Sequence, residues 1–237
     1  MKRNVLSISL FGMVVAASLS ACGGGGGGGG AVSTTPAVTV TSFPLQTGYK
    51  ALIANGLTKD FTVSGSCAGS GRRVFSAATT AATFEGTEGL SATGTLTMSF
   101  SNCTPASVTE SYTNYYDTNY VSVGGVSGSG DYGVYLTPPI IPTSVAVGDS
   151  GTIGTETYYT DSSKSMVSGT VVETYAVEAD TSNTAIINVI SKSYDAAGAL
   201  NQTAQTRYRI SAEGALTVIS TDIQAAGSDV HLILTYQ

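Results

Sequence analysis

Residues 166–211 read MVSGTVVETYAVEADTSNTAIINVISKSYDAAGALNQTAQTRYRIS. Runs rich in Val, Ile, Thr and Tyr are separated here by short clusters of Asp, Ser, Asn and Gly. Apolar and polar residues alternate within the runs; in the last one, Tyr208 lies between Arg207 and Arg209. Alternation with a period of two and connections of a few residues are typical of antiparallel strands joined as hairpins. One otherwise apolar face contains a charged residue, because Glu173 lies on the same face of its strand as Val171 and Tyr175.

The same composition extends in both directions from this stretch. Six strand-like runs lie between residues 151 and 236, and residues 166–178 and 185–194 are two of them. Shorter runs occupy residues 49–136, and the first of these covers residues 49–53. No window has a convincing helical stripe. The sequence therefore predicts an all-β fold with little helix, in which an antiparallel meander forms half of a sandwich or an open or closed barrel.

A proline-rich segment divides the chain. Residues 138–142 read PPIIP, and three prolines in five residues are incompatible with a central strand or a helix. We therefore expect an extended connector there. Two packed β subdomains, residues 45–137 and 143–237, are one arrangement that fits this division.

Composition and charge restrict the partners. The chain of 237 residues has only 11% charged residues, against about 25% in an average soluble protein, and its formal net charge is −6. It has no basic cluster. Binding to nucleic acid is therefore not expected, and neither is electrostatic attraction to anionic lipid.

The N-terminus carries a secretory pattern. Lys2 and Arg3 precede an apolar segment, which ends in Leu19-Ser20-Ala21-Cys22 and a run of glycines over residues 23–30. This motif resembles the lipobox of bacterial lipoproteins. The resemblance implies that residues 1–21 are a signal peptide and that Cys22 becomes a lipidated first residue, which anchors the protein to a membrane. The alternative is an ordinary cleaved signal with an incidental cysteine.

The residues that follow Cys22 indicate a flexible tether and a location in the cell envelope. Eight glycines have no side chains to bury, so we assign residues 22–44 to the lipidated cysteine and a flexible tether. In lipoproteins of Gram-negative bacteria, an aspartate after the cysteine commonly signals retention at the inner membrane. Gly23 occupies that position, so the resemblance implies the outer membrane, at its periplasmic face or the cell surface.

The remaining cysteines, Cys67 and Cys103, would lie in an oxidising compartment. One disulfide between them is the simplest expectation, and two free buried thiols are the alternative. The partners needed for a metal site are missing, because His231 is the only histidine and no loop has the carboxylate density of a calcium site. We predict no metal and no cofactor.

The catalytic motifs are incomplete. Gly148-Asp149-Ser150-Gly151 looks like the nucleophile segment of chymotrypsin-like serine proteases, but that family places its histidine upstream, whereas His231 lies downstream. A turn that enters a strand suits these residues equally well. Glu173 and Glu178 have opposite parity on one strand, so they point to opposite faces and make a poor glycosidase pair. We therefore expect no enzymatic activity.

A local concentration of tyrosines offers a candidate binding surface. Tyr112, Tyr115, Tyr116 and Tyr120 are interleaved with Asn and Asp, a combination that sugar-binding surfaces use. Tyrosine is also common in ordinary cross-strand pairs.

These observations lead to one expected function and two alternatives. We expect a non-catalytic lipoprotein, anchored in the outer membrane, that binds or scaffolds another envelope protein, a glycan or a lipid. The first alternative is a carrier of a lipophilic ligand in a β cavity. The second is a carbohydrate-binding module that uses the tyrosine cluster.

Overall fold

The computed structural model describes residues 39–237, which form one helix and thirteen strands. The elements, in chain order, are α1 (Leu45–Asn55), β1 (Leu57–Gly65), β2 (Gly69–Phe75), β3 (Thr80–Phe84), β4 (Thr87–Phe100), β5 (Ser107–Asp117), β6 (Ser122–Ser127), β7 (Tyr132–Tyr135), β8 (Ser150–Tyr159), β9 (Val167–Ala179), β10 (Thr184–Asp195), β11 (Leu200–Ser211), β12 (Leu216–Ala225) and β13 (His231–Tyr236). The prediction of an all-β chain with little helix is confirmed.

The strands form a closed antiparallel barrel of twelve strands. Consecutive strands from β4 to β13 are neighbours, β13 pairs with β1, and β2 joins β1 to β4. The short strand β3 pairs with β4 only, beyond the part of β4 that meets β2. The meander is thus part of a closed barrel rather than of a sandwich or an open barrel.

The proline-rich connector does not separate two sheets. It joins β7 to β8, and these two strands pair with each other over residues 132–135 and 156–159. Strands from both halves of the chain also meet where β1 pairs with β13. The segments that the sequence suggested as two subdomains therefore share one barrel.

Helix α1 closes one end of the barrel, and it corrects the prediction of a strand over residues 49–53. Leu45, Tyr49 and Ile53 recur every four residues, so they lie on one face of a helix. All three are buried, with 6%, 5% and 1% of their surface exposed. They pack against apolar residues on the inner face of the strands. Because the strands bury this apolar face, the segment is stable as a helix packed across the end of the barrel.

The folded unit also begins earlier than the predicted tether allowed. Residues 39–44 belong to it, because Phe43 is fully buried and exchanges backbone hydrogen bonds with Val145. The backbone N–H of Thr39 donates to the carbonyl oxygen of Ser182 at 2.9 Å. The buried ring of Phe43 and these backbone hydrogen bonds hold the segment against the barrel.

The two ends of the barrel differ. At the helix end, α1 precedes β1, and most of the interior side chains are apolar. At the opposite end, the disulfide Cys67–Cys103 joins the loop after β1 to the loop after β4, with 5.7 Å between the Cα atoms. The predicted disulfide is thereby confirmed. We call the two ends the helix end and the disulfide end.

Candidate ligand-binding cavity

The interior of the barrel is not completely filled. A cavity of about 750 Å³ occupies the disulfide end. Its wall reaches the exposed loop residues Thr104, Pro105 and Ser129 and the half-buried Asp131, so it opens among the loops of that end. A twelve-stranded barrel is wider than the eight-stranded barrels whose interior side chains can just fill, and here α1 fills only the opposite end.

Part of the barrel wall beside the cavity consists of glycines and carries no side chains. Strand β6 reads SVGGVS, and both of its glycines line the cavity. A Cβ atom on Gly125 would lie 2.9 Å from Oδ1 of Asn114, and one on Gly133 would lie 2.3 Å from Oε1 of Glu156. These strands therefore contribute backbone to the wall, and neighbouring polar side chains use the room that remains.

Glu156, on β8, brings a carboxylate to the cavity wall. The residue is 6% exposed. The Tyr158 hydroxyl donates a hydrogen bond of 2.8 Å to its Oε2. Burial raises the pKa of Glu156 to about 7, and the hydrogen bond from Tyr158 acts in the opposite direction. The carboxyl group therefore changes its charge near neutral pH.

Glu173 lies deeper, between the cavity and α1. It is 1% exposed, and the Tyr135 hydroxyl donates to its Oε2 at 2.8 Å. Ser191 lies directly opposite it on β10, but neither the Ser191 hydroxyl nor Oε1 of Glu173 completes a hydrogen bond of ordinary geometry. Burial raises the pKa of Glu173 to about 8; the Tyr135 hydrogen bond opposes this rise and the negative charge of Glu156 adds to it.

Glu178 lies on the outer face, as the parity of β9 predicts. Its Oε2 is 3.1 Å from Nη2 of Arg207. Glu173 and Glu178 therefore do not face each other. The sequence suggested Glu173 as an intruder on an apolar row, but it gave no signal for Glu156, whose inward neighbours on β8 are Gly154 and Tyr158.

The predicted tyrosine cluster is split by the barrel wall. Tyr112 and Tyr116 line the cavity. Tyr115 points outward and stacks on Phe84, with 4.4 Å between the ring centroids. Tyr120 lies in the turn after β5 and packs beside the core near α1. Because successive side chains of a strand alternate between faces, the four rings do not form one surface.

A buried cation lies behind one of these tyrosines. Arg73 is 4% exposed and its Nη1 donates to the Tyr236 hydroxyl at 3.1 Å. The Tyr112 hydroxyl also faces Arg73 but completes no hydrogen bond of ordinary geometry. The ring of Tyr112 thus stands between the guanidinium group and the cavity, and Arg73 is not part of the cavity wall.

The other singled-out motifs have structural roles. Asp149 accepts a hydrogen bond of 2.8 Å from the backbone N–H of Ala146, which holds the turn before β8. His231 lies on the outer face, with its Nε2 3.0 Å from Oδ1 of Asp222. Over residues 39–237 no group of three or more His, Cys, Asp or Glu side chains could hold a metal ion.

Comparison of the chain with protein-family models, with curated proteins and with solved structures found no match. Cys22 and the lipobox lie outside the described residues. In the part of the chain that the structure covers, no helix is long and apolar enough to cross a membrane.

Proposed function

We propose that the protein is a non-catalytic binding protein that holds a small, largely apolar molecule inside its barrel. The observation that carries this proposal is the cavity of about 750 Å³, which α1 closes at one end and which opens among loops at the other. Ligand sites in proteins typically measure about 300–1,000 Å³ and are lined by apolar and aromatic groups with a few polar ones. This corresponds to the carrier that the sequence offered as an alternative.

The proposal includes the lipid anchor at Cys22 and a place at the outer membrane. The described chain enters the barrel at the helix end, where Thr39 is hydrogen-bonded to Ser182. The cavity opens at the other end, so a tether attached to residue 39 joins the barrel at the end opposite the opening. This attachment leaves the opening clear for exchange of ligand with the surrounding envelope space.

The cavity favours a carrier over the other two functions. A scaffold needs an outer surface for its partner, and a sugar-binding platform needs aromatic rings side by side. The tyrosines proposed for that platform are divided between the inside and the outside of the barrel. Tyr112 and Tyr116 keep a binding role, as part of the cavity wall.

The proposal is tested with the tether-free protein, residues 31–237, purified from an oxidising periplasm. We expect native mass spectrometry to detect a co-purified small molecule, and the neutral apolar dye N-phenyl-1-naphthylamine to bind. The Val108→Trp variant places an indole in the cavity wall and should lose both signals. Ser99→Trp adds the same group on the outer face of the neighbouring strand and should keep them.

Dye binding that is equal in the wild-type protein and in a folded Val108→Trp variant would contradict the proposal. Absence of both the co-purified molecule and dye binding in the wild-type protein would contradict it as well. Circular dichroism of each variant distinguishes a filled cavity from an unfolded chain.

A further inference from the structure

We infer that the cavity selects a ligand with a cationic amine group, and that the carboxylate of Glu156 receives it; this inference rests on the proposed function. The apolar part of such a ligand would occupy the rest of the cavity.

The charges of the wall all have one sign. Three carboxylates line the cavity, those of Glu110, Asp131 and Glu156, and over residues 39–237 no Lys, Arg or His side chain does so. Asp131 already accepts hydrogen bonds from Ser127 and Ser129, at 3.1 and 2.7 Å, and lies near the opening. A wall of this kind attracts a positive group and repels an anionic one.

Aromatic rings add to this preference. Tyr112, Tyr116, Tyr135 and Tyr158 line the same cavity. The faces of aromatic rings attract a cation by about 0.5–2 kcal/mol per contact, and recognition of ammonium groups commonly combines such rings with a carboxylate. Arg73 does not occupy this place, because it donates to the Tyr236 hydroxyl and is absent from the cavity wall.

Glu156 is placed to accept a hydrogen bond from a bound amine. Glu156 lines the cavity; its Oε2 accepts the Tyr158 hydroxyl, and its Oε1 lies over the backbone of Gly133, where no side chain covers it. A buried carboxylate without a positive partner pays a large desolvation cost, and an ammonium group beside it would remove much of that cost. A ligand carboxylate placed beside Glu156 would be repelled by its negative charge.

The selection can be measured with three probes of equal length: octylamine, octanol and octanoate. Each is titrated against protein loaded with N-phenyl-1-naphthylamine at pH 8. We expect octylamine to displace the dye at the lowest concentration and octanoate at the highest. Glu156→Gln should weaken octylamine roughly tenfold or more, because a charge-assisted hydrogen bond is lost. The variant should leave octanol unchanged, and Glu178→Gln on the outer face should change neither.

A pH titration of the unmodified protein tests the inference without a substitution. Tyr158 on the same strand donates to Glu156, and the charge of Glu156 acts in turn on Tyr135 of β7, Glu173 of β9 and Tyr116 of β5. Among these groups Glu173, with a pKa of about 8, titrates near neutral pH, and it lies outside the cavity wall. Octylamine should bind more tightly at pH 8 than at pH 6, because Glu156 is ionised at the higher pH. Octanol should show no such change.

The outcomes separate the inference from the proposed function. Equal displacement by all three probes, or tightest binding of octanoate, would overturn amine selection and leave the cavity as a ligand site. Unchanged octylamine affinity in a folded Glu156→Gln variant would overturn it too. Failure of the dye itself to bind the cavity would contradict the proposed function.

Discussion

Replacing Glu173 with glutamine is expected to make the protein less sensitive to alkaline pH. Glu173 is 1% exposed, and its pKa is about 8 against an ordinary 4.5. The unfolded chain releases this proton near pH 4.5, whereas the native state keeps it until about pH 8. Stability therefore decreases as pH rises between these two values and stays low above them.

The magnitude follows from the two pKa values. For a single group shifted from 4.5 to about 8, the loss of unfolding free energy between pH 5 and pH 9 is about 4 kcal/mol. Glutamine has nearly the same size as glutamate and can still accept the hydrogen bond from Tyr135, but it does not ionise. Glu156, with a pKa of about 7, continues to contribute below that pH. Glu173→Gln should therefore remove most of the loss above pH 7.

The measurement is urea unfolding at a series of pH values, with the free energy obtained by linear extrapolation. Circular dichroism and the fluorescence of the 13 tyrosines report the transition, since the chain has no tryptophan. Glu178→Gln is the matched control, because it removes a carboxylate from the outer face of the same strand. Identical pH profiles for the wild-type protein and Glu173→Gln would refute the reasoning, as would a variant that is the less stable of the two at pH 9.

Three further predictions concern packing and the disulfide, and each is measured by urea unfolding. Gly94→Ala should lower the free energy of unfolding by about 1–3 kcal/mol, because its Cβ would lie 1.9 Å from the ring of Tyr112. Dye binding should also fall as that ring moves toward the cavity. An unchanged urea midpoint would contradict the close packing of Tyr112 on Gly94. Replacing both Cys67 and Cys103 with serine should cost about 4 kcal/mol for a crosslink that spans 36 residues, and a loss below about 1 kcal/mol would show that the open chain is already restricted. Gly48→Ala should destabilise by about 1–3 kcal/mol or more, since its Cβ would lie 2.2 Å from a backbone oxygen in the loop between β11 and β12; wild-type stability would mean that α1 can move away from that loop.

The strands of the second half could be predicted because their evidence is local. Alternation of side chains and short polar loops placed runs at residues 166–178 and 185–194, and the strands are Val167–Ala179 and Thr184–Asp195. Closure of the barrel has no such local signature. It depends on pairing between β1 and β13, which no pattern within either strand specifies.

Helix α1 could have been recognised. Leu45, Tyr49 and Ile53 have helical spacing, Pro44 precedes the first turn and Gly56 follows the last one with φ +73°. The prediction of a strand over residues 49–53 relied on a short apolar run and overlooked this spacing.

The candidate site was only partly accessible from the sequence. The parity of β9 identified Glu173 as a carboxylate on an apolar face, and the tyrosine cluster contained Tyr112 and Tyr116 of the cavity wall. The cavity itself could not be predicted, because it arises where the glycines of β6 and β7 meet side chains from β5 and β8. Such empty space is a property of tertiary packing and leaves no periodicity in the chain.

The pairing of β1 with β13 also governs how the chain can acquire its structure. Beside this pairing, Tyr236 of β13 is hydrogen-bonded to Arg73 of β2, and these two residues are 163 apart in sequence. Contacts of such separation form late, because the entropy of closing a long loop must be overcome first. Until β13 is available, the sheet has two unpaired edges that can bind the edges of other chains. We expect slow folding, and a nascent or truncated chain that lacks the last strand should be prone to aggregation.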